Sequence, residues 1–479
     1  MSAEDTTRSQ TPEELLNIAV QELEHGDRDR GLQVAQQAGQ EAYAAGQLEF
    51  AAEGQAQAAR ILRRKARFSP TQERGALIHQ AETVVSQGLH YARELQTEGI
   101  DYALAHVLLV RAELYEDKGD LPRALALYEE ALTYPLNPDR HTEVYKHVFR
   151  IKALGVQAKM GDTDALGQAE LEIEQLDGYT PGEGEAQKLS AFQQAVWVSG
   201  GYLSLAEAIL ETKNTDQLAA VQRYLDEAQR ITDTNLNMTN RVDDINQLRA
   251  IAEHREGIQA NFESAQRMRV GHQEEEAIKL YQMVREEAER ASDRWYASEA
   301  LHMIGVTQSQ QKEFDRASTS LQTAREEVAF LDQVLLGAII RDLAGVRRGQ
   351  DNLDGAEELL TQSVEILHSS HNRYQEGMSE VGLGRVQGLK GKAQEAEDHL
   401  TRGIELIEGA DSGESYFRAK AYEYRAKARR QEKRLAEALE DLGTARTIYE
   451  SIEEGRFLRD IELNLQEKTA IESEIEELA

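Results

Sequence analysis

Residues 344–360 read Ala344-Gly345-Val346-Arg347-Arg348-Gly349-Gln350-Asp351-Asn352-Leu353-Asp354-Gly355-Ala356-Glu357-Glu358-Leu359-Leu360. A small residue, Ala344, opens the stretch. The turn-forming run Gly349-Gln350-Asp351-Asn352-Leu353 follows, and Gly and Asn suit the left-handed backbone at a helix end. Ala356 and Leu360 then lie four apart, on one face of a second helix. The reading is helix, tight turn, helix, with a small residue on each helix.

The same phrase recurs outward from this stretch. The second-helix Ala falls at Ala277, Ala317, Ala356, Ala396 and Ala438, at intervals of 40, 39, 40 and 42 residues. Four residues further on stand Tyr281, Leu321, Leu360, Leu400 and Leu442. Twelve residues before each Ala is another small residue: Ala265, Gly305, Ala344, Gly384 and Ala426. Two antiparallel helices approach closely only where a side chain is short, so the paired small residues read as packing notches. The phrasing predicts helix pairs over Arg255–Ala291, Asp293–Phe330, Val334–His368, Arg373–Glu408 and Glu414–Ser451.

Small residues at the eighth and twentieth positions, with Leu or an aromatic at the twenty-fourth, resemble the tetratricopeptide repeat (TPR) in a long-period variety of about 40 residues. The clearest unit is N-terminal: Ala112, Tyr115, Gly119-Asp120-Leu121, Ala124, Tyr128, Ala131-Leu132, then Pro135 and Pro138. Others stand at Ala153, Gly161-Asp162 and Ala165, and at Ala19, Gly26-Asp27 and Gly31. The resemblance implies an all-α fold, an α-solenoid of stacked antiparallel helix pairs wound as a right-handed superhelix. Long repeats of this kind occur in bacterial peptide-sensing regulators and eukaryotic adaptor proteins.

The expected organisation is a disordered tail over residues 1–10, a helical block over 11–180, and an irregular long-helix joint over 181–256. A five-unit repeat block over 257–454 and a capping helix over 455–479 complete it. Gly178-Tyr179-Thr180-Pro181-Gly182-Glu183-Gly184 is the linker signal between the blocks. Long helices are expected near Glu185–Lys213, Thr215–Thr232 and Asn240–Val270. The last helix carries Leu458, Ile461, Leu465, Ile471, Ile475 and Leu478 on one side and acids on the other.

Composition agrees with helix. Of 479 residues only 6 are Pro and 9 Phe, and the abundant Ala, Leu, Glu, Gln and Arg are good helix formers. The formal net charge of −32 repels a phosphate backbone, so direct nucleic-acid binding is not expected. The absence of Cys removes disulfides, thiolate nucleophiles and Cys-based zinc sites. The polar, acid-bearing start is unlike a signal peptide, and apolar runs such as Ala103–Val110 are too short for a membrane span. A cytoplasmic setting without cofactor or membrane is expected.

Chemical motifs are weak. Ser309-Gln310-Gln311-Lys312 matches S-x-x-K without its companion motifs. His368 and His371 lack further metal partners. Asp162-Thr163-Asp164 with Gly167 is too short for a calcium loop. Trp197 and Trp295 are expected in the core of their helices. An enzyme is therefore not expected.

In the TPR family the first helices line the concave side. Transferred by register, twenty inward positions of the five C-terminal units include seven Lys or Arg and two acids. The cationic candidates are Arg269, His302, Arg341, Arg348, Arg385, Lys420, Lys427 and Arg430. They point to a groove for an acidic peptide or a terminal carboxylate, gripped by charge-assisted hydrogen bonds. None of the twenty is Asn, unlike the carboxylate-holding sets of chaperone-binding and pheromone-sensing relatives. The expected function is a non-enzymatic protein- or peptide-binding scaffold. The alternative is a sensor that changes shape on binding a peptide, hinged at 178–184.

Overall fold

A computed structural model describes residues 10–69, 71–97, 102–135, 145–179, 191–212, 215–235, 238–410, 416–452 and 458–478. Most of the hinge and tail expectations, residues 180–184 and 1–9, lie outside them. Regular structure among the described residues is helical. It begins with α1 (Pro12–His25), α2 (Arg28–Ala44), α3 (Leu48–Phe68), α4 (Thr71–Thr97), α5 (Tyr102–Asp117), α6 (Leu121–Thr133), α7 (Tyr145–Lys159) and α8 (Ala165–Asp177). The middle holds α9 (Ala191–Glu211), α10 (Leu218–Asp233) and α11 (Thr239–Val270). The rest is α12 (Glu274–Arg290), α13 (Arg294–Gln310), α14 (Phe314–Val328), α15 (Gln333–Gly349), α16 (Leu353–Ser369), α17 (Arg373–Leu389), α18 (Ala393–Glu408), α19 (Tyr416–Gln431), α20 (Leu435–Ser451) and α21 (Leu458–Leu478). The fold is an all-α array of sequentially paired helices.

Contacts divide the chain into two units: Met1–Ala260 with Glu287–Asp293, and Asn261–Glu286 with Arg294–Ala479. In the second unit the pairs are α13/α14, α15/α16, α17/α18 and α19/α20. Both rows of notches are buried: Ala277, Ala317, Ala356, Ala396 and Ala438 have no exposed surface, nor have Ala265 and Ala426. What fills a first-helix notch is the residue four after the second-helix Ala. A Cβ placed on Gly305 would lie 2.6 Å from Leu321 Cγ, and one on Gly384 would lie 2.4 Å from Leu400 Cγ. The recurring small residue and the recurring Leu are thus one contact.

The turns obey a single rule. Between α15 and α16, Asn352 N–H donates to the Arg347 carbonyl at 2.9 Å and Asp351 N–H to that of Arg348 at 3.1 Å. This is a Schellman motif, which satisfies carbonyls that the helix end leaves open. It recurs in the turn inside each pair, with its left-handed residue at His272, Lys312, Asp351, Gly391 and Lys433, and also between pairs at Ser292 and His371. Gly349 and Asn352 do not take that conformation, contrary to the turn reading of the sequence. Asn352 instead caps α16 by accepting from Gly355 N–H, as short polar side chains do at N-caps.

Successive first helices of the second unit also touch: α13 with α15, α15 with α17, and α17 with α19. No comparable contact joins α14 to α16, α16 to α18 or α18 to α20 among the described residues. The second helices instead part into a cleft of about 510 Å³ between α14 and α16, floored by Leu336 and Ile340 of α15. The first-helix side is therefore the inner side of this stack.

In the first unit, α3 is the hub. It contacts α1, α2, α4 and α5. Its small residues permit this: Gly54 crosses Gly39 of α2 so closely that a Cβ would sit 2.6 Å from Gly39 Cα. The N-terminal part of α11 returns to the start of the unit, where Asn240 Nδ2 donates to the Leu23 carbonyl at 2.9 Å.

Candidate functional site

The eight cationic candidates lie on first helices of the second unit, and their surroundings sort them into two groups. Four are already engaged. His302, 5% exposed, sets Nδ1 3.1 Å from Glu299 and Nε2 2.8 Å from Asp342. Burial opposes its charge, but the two carboxylates win and hold its pKa up at about 9. Arg341 lies 3.6 Å from Asp342 and donates to Gln375 of the next first helix. Lys420 reaches Glu423 at 2.9 Å and Asp460 at 2.6 Å. Its ammonium also sits 5.4 Å from the Tyr416 ring centroid and 5.5 Å from that of Tyr449. Arg430 meets Glu467 at 2.8 Å and Glu474 at 3.0 Å.

The other four have no carboxylate within 4.0 Å among the described residues: Arg269, Arg348, Arg385 and Lys427. Arg269 stands beside the hydroxyl of Tyr281. Lys427 is exposed on α19. Arg348 and Arg385 form a like-charged pair on neighbouring first helices, both half-buried. Burial, and then the Arg385 guanidinium, pull the pKa of Arg348 below the usual arginine value. The Arg385 guanidinium lies 4.9 Å above the ring of Tyr424, an orientation favoured by the negative face of the ring. Two fixed guanidiniums without an acid leave a charge that a carboxylate or another anion complements.

Sequence reasoning missed the acids that neutralise the first group. Asp460, Glu467 and Glu474 recur every seven residues along α21, which places them on one helix face. That face lies against Lys420, Arg430 and Lys433 of the α19 pair. The expectation of a solvent-facing acidic side on the last helix is corrected on this point. The apolar side is corrected too: Leu465 is 47% exposed, while Asn464 is buried and donates to the Leu442 carbonyl. Among the described members of that apolar set, Ile471 is fully buried and Ile461 and Ile475 are half-buried.

The weaker motifs resolve into structure. His368 Nδ1 sits 3.1 Å from Glu376, and His371 is the left-handed residue of a turn. No group of three or more His, Asp or Glu able to hold a metal occurs among the described residues. Trp295 is half-buried with Nε1 donating to Asp332 at 2.9 Å, and Trp197 is half-buried with its ring edge-on to Tyr145. No described helix is long and apolar enough to cross a membrane.

In the first unit the corresponding inner face is filled by ion pairs. Arg63 of α3 grips Glu113 at 2.6 Å and bonds Asp117 of α5. Lys159 of α7 bridges Glu116 at 2.8 Å and Glu211 of α9 at 2.9 Å. Against the cost of burial, Lys159 and Lys152 hold Glu116 down at about 2.

No family model and no curated protein matches the chain. Among solved structures it is similar to BtubC (BKLC) from P. vanneervenii, at 15% identity and a TM-score of 0.36, covering 45% of this chain and 82% of that one. It is similar to the Rap protein complexed with competence and sporulation factor, at 12% identity and a TM-score of 0.35, covering 78% and 99%. It is similar as well to the APC/C hetero-tetramer Cut9–Hcn1, at 15% identity and a TM-score of 0.34, covering 95% and 90%.

Proposed function

We propose that the chain is a non-enzymatic scaffold that binds a protein or peptide on the inner, first-helix face of its second unit. Arg348 and Arg385, with Lys427 further along the face, are the anchor for an acidic segment or terminal carboxylate of the partner. The observation that carries this reading is the Arg348–Arg385 pair: two half-buried guanidiniums side by side with no carboxylate to neutralise them. An unpaired cation held partly out of water gains more from an incoming carboxylate than a solvated surface lysine does. His302, Arg341, Lys420 and Arg430 have their own acids and serve the stack, and Arg269 stands beside Tyr281.

The test is fluorescence anisotropy with labelled acidic peptides, some ending in a free carboxylate and some amidated. The full chain is compared with Arg348→Glu/Arg385→Glu at low and high salt. Wild type is expected to bind, the variant to lose about tenfold or more in affinity at unchanged helix content, and salt to weaken wild type. Equal binding by both proteins would remove this pair from the site and move the search to the cleft between α14 and α16.

A further inference from the structure

A second cationic cluster lies in the first unit and is independent of the reading above. Arg28 at the start of α2, Arg60 and Arg64 of α3, and Arg241 of α11 converge on Glu24 of α1 and Asp244 of α11. Arg64 Nη1 donates to Glu24 Oε1 at 2.8 Å, and its Nη2 donates to Asp244. Arg241 Nη2 donates to the same Glu24 oxygen at 3.1 Å. Arg28 approaches Asp244 at 4.0 Å. Arg60 has only Glu113, at 3.6 Å, and that carboxylate is already held by Arg63 at 2.6 Å. Four guanidiniums thus face Glu24 and Asp244, which are 3% and 4% exposed, and a share of Glu113. Burial and the neighbouring Arg64 pull the pKa of both Arg28 and Arg241 down.

Helix α9 shapes the opposite wall. Trp197 lies with its ring 5.5 Å from the Arg60 guanidinium. One turn on, Gly200 lets Arg241 lie against the helix, since a Cβ there would already be 3.4 Å from Nη1. Unmet hydrogen-bonding atoms of both kinds remain in this cluster. Arg60 Nη2 and Arg241 Nε are buried donors without an acceptor; Glu24 Oε2 and Asp244 Oδ1 are buried acceptors without a donor. Such groups are costly to leave unmet. The four arginine side chains keep 11–20% of their surface exposed, so the cluster is reachable from solvent.

A water molecule meets atoms of both kinds but brings no charge, whereas an anion that carries an O–H meets atoms of both kinds and also offsets the surrounding cations. We propose that Arg60, Arg64 and Arg241, together with Glu24 and Asp244, form a binding site for hydrogen phosphate. Its unprotonated oxygens accept from the guanidiniums, and its P–O–H donates to a carboxylate oxygen. Its charge offsets the local excess of cations. Sulfate, fully ionised near neutral pH, has no proton to give to Glu24 or Asp244, and chloride has none either. A site with buried carboxylate acceptors therefore discriminates against both.

The experiment uses the full chain near neutral pH, with phosphate, sulfate and chloride compared at matched ionic strength. Thermal unfolding reads linked stabilisation, and equilibrium dialysis with radiolabelled phosphate reads binding directly. The expected result is retained phosphate and a midpoint that rises with phosphate concentration, with sulfate and chloride giving only the ionic-strength response. Arg241→Gln is expected to abolish phosphate retention. Glu24→Gln keeps an acceptor for Arg64 and Arg241 but supplies an N–H donor, so the preference for phosphate over sulfate falls about tenfold or more. Should Arg241→Gln fail to fold, the selectivity change in Glu24→Gln carries the test. No retained phosphate, or equal stabilisation of wild type by phosphate and sulfate, would overturn the proposal and leave water as the occupant.

Discussion

His302 shows how a residue that looks like a ligand becomes a strut. It is almost fully buried between Glu299 on its own helix and Asp342 on the next first helix, and its pKa stands at about 9 rather than 6.5. A histidine whose folded pKa is raised contributes stability that is complete below its unfolded pKa and disappears as pH rises through the folded one. Stability of the chain is therefore expected to fall between pH 6.5 and about 9 by up to about 3 kcal/mol from this group. Denaturant unfolding across that window checks it. His302→Gln should be less stable near neutral pH and show a flatter profile; a slope unchanged from wild type would refute the assignment.

Residue identity alone also hid the division within the basic face. Seven cations among twenty inward positions were legible, because the notches fix the register. Which of them would be cancelled was not, because the cancelling acids come from neighbouring helices. Asp342 stands next in sequence to the candidate Arg341, yet it serves His302 from a different helix. Only packing brings such partners together. Arg348 and Arg385 differ from Arg430 by the absence of an acid opposite, which no local pattern records.

At the scale of the element, α21 is held by alternating means. Ile471 packs with Ala426, Leu435, Ala438 and Leu442, while Asp460, Glu467 and Glu474 reach Lys420, Arg430 and Lys433. The combined variant Asp460→Asn/Glu467→Gln/Glu474→Gln is expected to lower the protection of α21, speeding its amide exchange about severalfold, since the pairs are partly exposed and individually weak. Hydrogen exchange should show the loss in α21 and at the open side of α19, with α13–α16 unaffected. Uniform loss throughout the unit would mean that α21 does not open on its own.

Helix boundaries were most legible where a pair repeats the notch and the turn together. The pairs from α13 to α20 match the spans read from the sequence to within two residues at each end. The α3/α4 pair was not read, and its residues explain why. The sequence between the two helices holds no Gly or Asn turn signal, and α3 carries many small residues because it packs against several helices at once. Its polar residues Arg60, Arg63, Arg64 and Arg67 face neighbouring helices in ion pairs, so they do not mark an outer side.

At the scale of the whole molecule, a net charge of −32 coexists with two inward-facing concentrations of arginine, one in each unit. Many of the acids lie exposed, where they cost little and favour solubility, while others such as Glu24, Glu113, Asp244 and Asp441 are buried against the basic residues. The arginines are gathered where water is partly excluded, where each charge counts for more. The total was legible from composition; its segregation was not, because it depends on which side of each helix faces its neighbours.

The recurring turn has a consequence for copy number. The backbone takes the same left-handed step at Asp351 and at Gly391, and the residue after each, Asn352 or Lys392, donates to a carbonyl five residues back. These two points are interchangeable splice sites. Excising residues 352–391 would join Asp351 to Lys392 across an intact turn and bring the notch of Ala344 opposite Ala396 and Leu400, one whole unit shorter. The shortened chain is expected to unfold cooperatively with its fractional helicity unchanged, whereas an excision shorter by half a helix, about eight residues, breaks the register and should aggregate or lose helicity. Length in this architecture is a quantity that can be edited in steps of one helix pair.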